Sequence, residues 1–243
     1  MGYLGYKPAD KPLTAADITD SIITSAKITD ATIVNGDIAN ATIALAKLSA
    51  TGTASASTFL RGDNSWNTPA AGAFVYLGAT GSQSNVASVD LNGYFTSDYN
   101  IYKIFIDEMY KSGSSDGEWL RIRANTGSYT TQTSSYKNAL ARVRGNLQDI
   151  QFDVSSAYWQ FALLSTNSNY KSSAEVTIYD PLQTTAYHTM TAFAMHWNGA
   201  GNQNMSVLGG AWESTTAITG LNFSASADNI YVTNIRIYGV KNS

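Results

Sequence analysis

Residues 18–47 read ITDSIITSAK, ITDATIVNGD and IANATIALAK, three ten-residue units that align end to end. Within them, and one step beyond, Ile18, Ile23, Ile28, Ile33, Ile38, Ile43 and Leu48 recur at a strict spacing of five. The residues between them are small or polar. Neither regular element keeps every fifth residue inside. On an α-helix, five steps rotate by about 500°, so the apolar positions would spiral around the rod. On a strand, an odd spacing sends successive residues to opposite faces. The chain must therefore turn or coil once per unit. A single-chain solenoid needs about three stacked turns, and a square coil would exhaust this segment in fewer than about two. Three chains wound together solve the problem. Each level then places three apolar side chains in a closed axial core, worth about 1.5–3 kcal/mol apiece. The repeat predicts a homotrimeric shaft over 18–50 with those seven residues as its core. A disordered linker would suit the Ser, Thr, Ala and Gly content, but has no reason to hold seven apolar positions in register.

Composition narrows the rest. Of 243 residues, 44% are hydrophobic and 14% charged, which disfavours long solvated helices. Ser, Thr, Asn, Gly and Tyr are abundant, which favours strands joined by polar turns. The formal net charge is −3, and no block of Lys or Arg gives the footprint of a nucleic-acid binder. There is no cysteine, so disulfides and thiolate metal sites play no part. The start has no apolar run suited to a signal peptide, and no stretch has the length of a membrane-spanning helix. The expectation is a protein without nucleic-acid partner, membrane insertion or cofactor. A role outside the cell would then follow release by lysis.

Residues 51–73 read as a joint. In TGTASASTFLRGDNSWNTP (51–69), Phe59, Leu60 and Trp66 form an apolar knot around a turn at Gly62, Asp63 and Asn64. That turn accounts for the tripeptide Arg61-Gly62-Asp63 without an integrin ligand. From 74 to 243 the chain alternates short apolar runs with polar turns, over a length sufficient for one core. Candidate strands are Tyr99–Ile106, Glu118–Ala124, Ala157–Leu164, Glu175–Tyr179, His188–Trp197, Met205–Trp212, Thr216–Phe223 and Asn229–Val240. Ser134–Val143 is the one weak helical pattern. The fold class is all-β: a repeat-built trimeric β shaft followed by an antiparallel β-sandwich, jelly-roll-like head. Period-2 alternation puts Leu120 and Ile122 on one face, with Trp119, Arg121 and Arg123 on the other. Likewise Phe193, Met195 and Trp197 oppose His188, Met190, Ala192, Ala194 and His196. The last strand loses phase near Asn234, as at a bulge.

Catalytic chemistry is thinly provided. Glycoside hydrolysis needs two carboxylates about 5–10 Å apart. The available acids, Asp107, Glu108, Asp116, Glu118 and Glu213, lie mostly near turns, where solvation is the default. No nucleophile elbow, phosphate loop or HExxH pattern is present. The two histidines, His188 and His196, lie roughly 26 Å apart along one strand and cannot share an ion within it. The reading is a non-enzyme with no metal site. Sugars fit better, because their CH faces stack on aromatic rings and their hydroxyls pair with Asn, Ser and Arg. Candidate glycan contacts are Trp119, Arg121, Arg123, Tyr158, Trp159, Trp197, Asn198, Asn202 and Trp212, with the loop from Tyr129 to Tyr136. Trp119 with Arg121 and Arg123 would suit an anionic glycan.

Two stretches carry a resemblance. GYLGYKPADKPLTAADITDSIITSAKITDATI (2–33) and TFLRGDNSWNTP (58–69) resemble the shaft region of predicted tail fibre proteins from tailed bacteriophages, particularly marine ones. The family's Arg-Gly-Asp-Gly is Arg-Gly-Asp-Asn here, a change a turn tolerates. The ending ITGLNFSASADNIYVTNIRIYGVKNS (218–243) is more loosely similar to the last strands of many phage tail domains. The resemblance implies a virion-proximal segment over 1–17 that meets other tail proteins. It also implies a tail location, assembly in the host cytoplasm, and a distal domain that recognises a glycan or protein on a bacterial surface. A structural virion component, such as a fibre connector or decoration protein, is the alternative. A polysaccharide depolymerase ranks third.

Overall fold

The computed structural model describes residues 14–44, 47–69, 72–114, 118–144, 147–197 and 201–241. The chain divides into two compact units, Met1–Ala70 and Ala71–Ser243.

In the first unit, two kinds of turn alternate every five residues. One is a short 3-10 turn: Ala15–Asp17 just before the repeat, then Ser25–Lys27 and Asn35–Asp37 within it. The other is a tight turn closed by the amide of Ile22, Thr32 or Thr42 on the carbonyl three residues earlier. Its third residue, Ser21, Ala31 or Ala41, has φ of 63–66°. Between turns the backbone is extended, with φ −108° and ψ 115° at Ile28 and φ −112° and ψ 112° at Ile38. This corrects the expected β shaft: among its described residues the repeat contains no strand. The backbone has β-region dihedrals, but a turn every five residues leaves no run long enough to pair within one chain. All seven repeat apolar residues stay 38–55% exposed.

The joint is a hairpin. β1 (Phe59–Leu60) pairs antiparallel with β2 (Trp66–Asn67). The intervening turn is closed by Asn64 N–H on the Arg61 carbonyl, with Asp63 accepting from the Ser65 hydroxyl at 2.6 Å. Asn64 sits at φ 60°, a conformation that Asn tolerates where the resembled motif has Gly. Phe59 and Leu60 are exposed, so the expected knot has no core within this chain.

The second unit is a sandwich of two antiparallel sheets. In chain order its strands are β3 (Phe74–Ala79), β4 (Gln83–Val86), β5 (Val89–Asn92), β6 (Tyr99–Lys111), β7 (Glu118–Thr126), β8 (Thr130–Thr131), β9 (Tyr136–Arg144), β10 (Leu147–Ser156), β11 (Trp159–Leu164), β12 (Ser172–Tyr179), β13 (His188–Trp197), β14 (Gln203–Trp212), β15 (Ile218–Ala225) and β16 (Ile230–Lys241). The large sheet runs β10-β9-β14-β13-β12-β6-β16-β3, with β4 also on β16. The small sheet runs β11-β7-β15-β5, with β8 on β7. Each expected strand is present, with ends that differ by a few residues. The weak helical pattern over Ser134–Val143 is instead β9, whose burial alternates with period two. Two of its inward residues, Asn138 and Arg142, are polar, and this masks the strand signal.

One core joins the sheets. Tyr102, Ile104, Val176, Ile178, Ala194 and Leu208 of the large sheet face Leu120, Ile122, Phe161 and Phe223 of the small one. Trp159 is fully buried, and its Nε1 donates to the Ala211 carbonyl of β14 at 3.0 Å. Tyr136 is equally buried, and its hydroxyl accepts from the Ala124 amide of β7 at 2.8 Å. These two bonds tie the sheets together. Gly210 is needed beneath the indole, since a Cβ there would fall 2.6 Å from Trp159 Cδ1.

β6 and β16 both lose phase. Burial in β6 runs Tyr102, Ile104, Ile106 and then Met109, Lys111. In β16 it runs Ile230, Val232 and then Ile235, Ile237. The ladder between β12 and β6 shifts register between Ser172 and Ala174, opposite Asp107 and Glu108. The irregularity expected near Asn234 thus coincides with a bulge on the neighbouring strand.

Candidate functional site

The β6 bulge puts Glu108 at φ 47°, a conformation that costs about 1–3 kcal/mol for a non-glycine residue and concentrates at functional sites. Its backbone N–H reaches Ser173 Oγ at 3.4 Å. Its carboxylate is turned into a cleft of about 410 Å³ whose lining includes Ser82, Ser84, Tyr110, Ser168, Lys171, Tyr231 and Thr233. Lys171 Nζ donates to Glu108 Oε2 at 2.8 Å, and Thr233 Oγ1 donates to the same oxygen at 3.2 Å. The Lys171 ammonium and the Thr233 hydroxyl hold the Glu108 carboxyl below the ordinary carboxylate range, so it is charged at neutral pH. Oε1 is left to accept from a ligand.

Tyr110 and Tyr231 are cross-strand partners in β6 and β16. Their rings stack with centroids 4.5 Å apart and an interplanar angle of 4°. The cleft therefore combines a paired aromatic surface, a carboxylate, an ammonium and several hydroxyls. This donor and acceptor set matches the alternating CH faces and hydroxyls of a sugar.

The residues singled out from sequence are dispersed. Arg121 and Arg123 do converge on Tyr158, with guanidinium carbons 4.0 and 5.4 Å from its ring centroid. Both are engaged inside the fold. Arg121 donates to the Ser226 carbonyl at 2.8 Å and to the Tyr158 hydroxyl at 3.1 Å, and Arg123 Nε donates to the Ala157 carbonyl at 3.1 Å. Burial and the adjacent Arg121 push the Arg123 guanidinium below its ordinary value. The group clamps the segment before β11 onto β7. Trp119 is separate and lies 5.0 Å from the Arg142 guanidinium carbon.

Trp159 and Trp212 are corrected from ligand platforms to core. Trp212 is buried, its Nε1 donates to the Ser134 carbonyl at 3.1 Å, and it stacks on His188. The hydroxyl of Tyr136 serves the inter-sheet bond, and burial pushes its phenol up; Tyr129, at the start of that loop, is exposed. Trp197 is half-buried and stacks on Tyr170 at 5.3 Å, and Asn202 is exposed. Asn198 lies outside the described residues.

The acids weighed for catalysis are mostly ion-paired. Asp107 accepts from Arg236 at 2.8 Å, and Glu213 lies 2.7 Å from Lys137. Asp116 lies outside the described residues. Both histidines are buried: His188 Nε2 bonds the Thr216 carbonyl and His196 Nε2 the Ser206 hydroxyl, each at 2.8 Å. Among the described residues no three His, Cys, Asp or Glu side chains gather as a metal site.

The cleft was readable in part. The break from Ile106 to Met109 is visible in the pattern of β6, and it mirrors the break near Asn234. Lys171 was not, because only folding brings it to Glu108.

Compared with known proteins, the chain matches no family model, no curated protein and no solved structure.

Proposed function

We propose that this chain is the subunit of a homotrimeric attachment fibre that binds a cell-surface glycan through the Glu108 cleft and does not cleave it. The observation that carries this reading is the cleft itself, a stacked tyrosine pair beside a strained, ionised glutamate and several hydroxyls. Retaining and inverting glycosidases need a carboxyl held protonated as general acid. They also need a second carboxylate, and Glu108 is the one carboxylate in the described lining of the cleft, which supports binding without hydrolysis.

The exposed ladder of the repeat supports the trimer. Three copies would close an axial core that one chain lacks, and three weak sugar sites would act together. The resemblance of 2–33 and 58–69 to tail fibre shafts gives the setting: a phage tail, anchored by its N-terminal end to other tail proteins, with a bacterial surface as target. Passage of the chain between sheets at β4–β5, β5–β6, β6–β7, β8–β9, β10–β11, β11–β12, β14–β15 and β15–β16 is the basis for classing the head as jelly-roll-like.

The test is binding of the full chain to host lipopolysaccharide or capsule, comparing wild type with Tyr110→Ala and Glu108→Gln. The expected result is retention of wild type, loss of about tenfold in affinity per site for each variant, and no soluble oligosaccharide. Binding that ignores both substitutions would remove the cleft from the account, and released oligosaccharide would remove the non-enzymatic reading.

A further inference from the structure

The large sheet has an outer face that its own chain leaves bare. On edge strand β10, Ile150, Phe152 and Val154 are 68%, 76% and 74% exposed. Register places Ile150 opposite Ala141 and Phe152 opposite Ala139 on β9. The same face continues through Met205 and Val207 on β14, then Phe193 and Met195 on β13. In β9, β13 and β14 these positions alternate with buried ones, so they point away from the core.

The face has a groove of about 480 Å³ across its middle, lined by Phe152, Val154, Thr191, Gly209 and Ala211. The groove exists because Gly209 has no side chain: a Cβ there would meet nothing within 4 Å. At Gly210, one residue on, a Cβ would strike Trp159. Only the buried glycine is required by the fold of this chain. The outward one shapes a surface.

We infer that this face is where the sandwich domains of separate copies of this chain pack against one another. Three arguments select a second copy over a foreign protein. First, scaling the exposed fractions by side-chain areas of about 150–250 Å² gives roughly 800 Å² of apolar surface, the amount each partner buries in a standard interface. Second, the face carries almost no charge to repel its own copy. Its charges lie at the borders and are paired: Lys137 is 2.7 Å from Glu213, and Glu175 on β12, opposite Phe193, is ion-paired with Lys103. Third, on the trimer reading, which this inference rests on, the repeat already holds three copies together, so no further partner is needed.

The chain supplies its own probes. Met195 and Met205 lie on the face at 37% and 36% exposure, while Met190 is buried in the core. Peroxide oxidation of the full-length protein, read by mass spectrometry, reports each methionine separately. In the wild-type assembly Met195 and Met205 are expected to oxidise nearly as slowly as Met190, and Gly209→Asp to speed both by at least about tenfold. Gly209→Asp adds its side chain into open space, and Phe152→Asp on the exposed edge serves as the second variant. Sedimentation of the same samples separates the two readings. An assembly whose Met195 and Met205 react as exposed residues overturns this inference and leaves the trimer standing. A chain that sediments as a single subunit overturns the trimer reading, and this one with it.

Discussion

Ile28 and Ile104 are the same side chain in two environments. Ile104, on β6, is fully buried, whereas Ile28, in the repeat, is 40% exposed. In the sandwich, alternation sends every second residue toward an opposing sheet of the same chain. In the repeat, the extended segments end in turns every five residues, and among the described residues no opposing element covers them. The sandwich carries its own core; on the proposed trimer, the repeat carries one part of a core that other copies complete.

The most damaging change to this contrast is a pair of charges in the ladder. On the proposed trimer, Ile28→Asp with Ile38→Asp removes six apolar side chains from the axis and should weaken association by on the order of 1,000-fold or more. Sedimentation would read that loss. The sandwich should still fold, because Ile28 and Ile38 lie outside its core, and its denaturation midpoint should fall only by what packing between copies contributes.

The converse change is Trp159→Ala. It deletes the largest fully buried side chain and the inter-sheet bond to Ala211. The expected cost is about 3–5 kcal/mol in denaturant unfolding of the sandwich, with association through the repeat unchanged at temperatures where the sandwich stays folded.

Acid should also act on the sandwich. Burial, and then the nearby Arg142, lower His196 from its ordinary value to about 4. The folded state therefore excludes a proton that the unfolded state accepts. The associated stability is fully present above about pH 6.5, falls as pH drops through that value, and is exhausted below about pH 4. Its size is on the order of 3 kcal/mol. Unfolding titrations of wild type and His196→Asn should differ in slope across that window, and equal slopes would contradict the assignment.

The smallest effect lies in the turns. Ala31 at φ 63° occupies a conformation that glycine adopts without strain. Ala31→Gly should raise the thermal midpoint of the repeat slightly, by about 0.5 kcal/mol of stability. The same exchange at Ala26, inside a 3-10 turn, should lower it.

Much of the fold was legible where periodicity and burial coincide. His188–Trp197 alternates along its whole length, and the observed strand has those limits. β9 was hidden because it buries Asn138 and Arg142; β10 shows the alternation of Ile150, Phe152 and Val154 but turns them to solvent at the sheet edge. Aromatic residues were the least legible. Trp159 and Trp212 have the chemistry of a sugar platform, and only their position inside the sandwich makes them core. The cleft depends on a long-range meeting of β6, β16 and the segment before β12, which local pattern does not encode.

Whether one chain completes the repeat is tested by native mass spectrometry of the whole chain, checked by sedimentation equilibrium at micromolar concentration. The expected result is one species of three times the chain mass, which collapses to single subunits in Ile28→Asp, Ile38→Asp. A wild-type protein that remains a single subunit, with its repeat still ordered by hydrogen exchange, would contradict it.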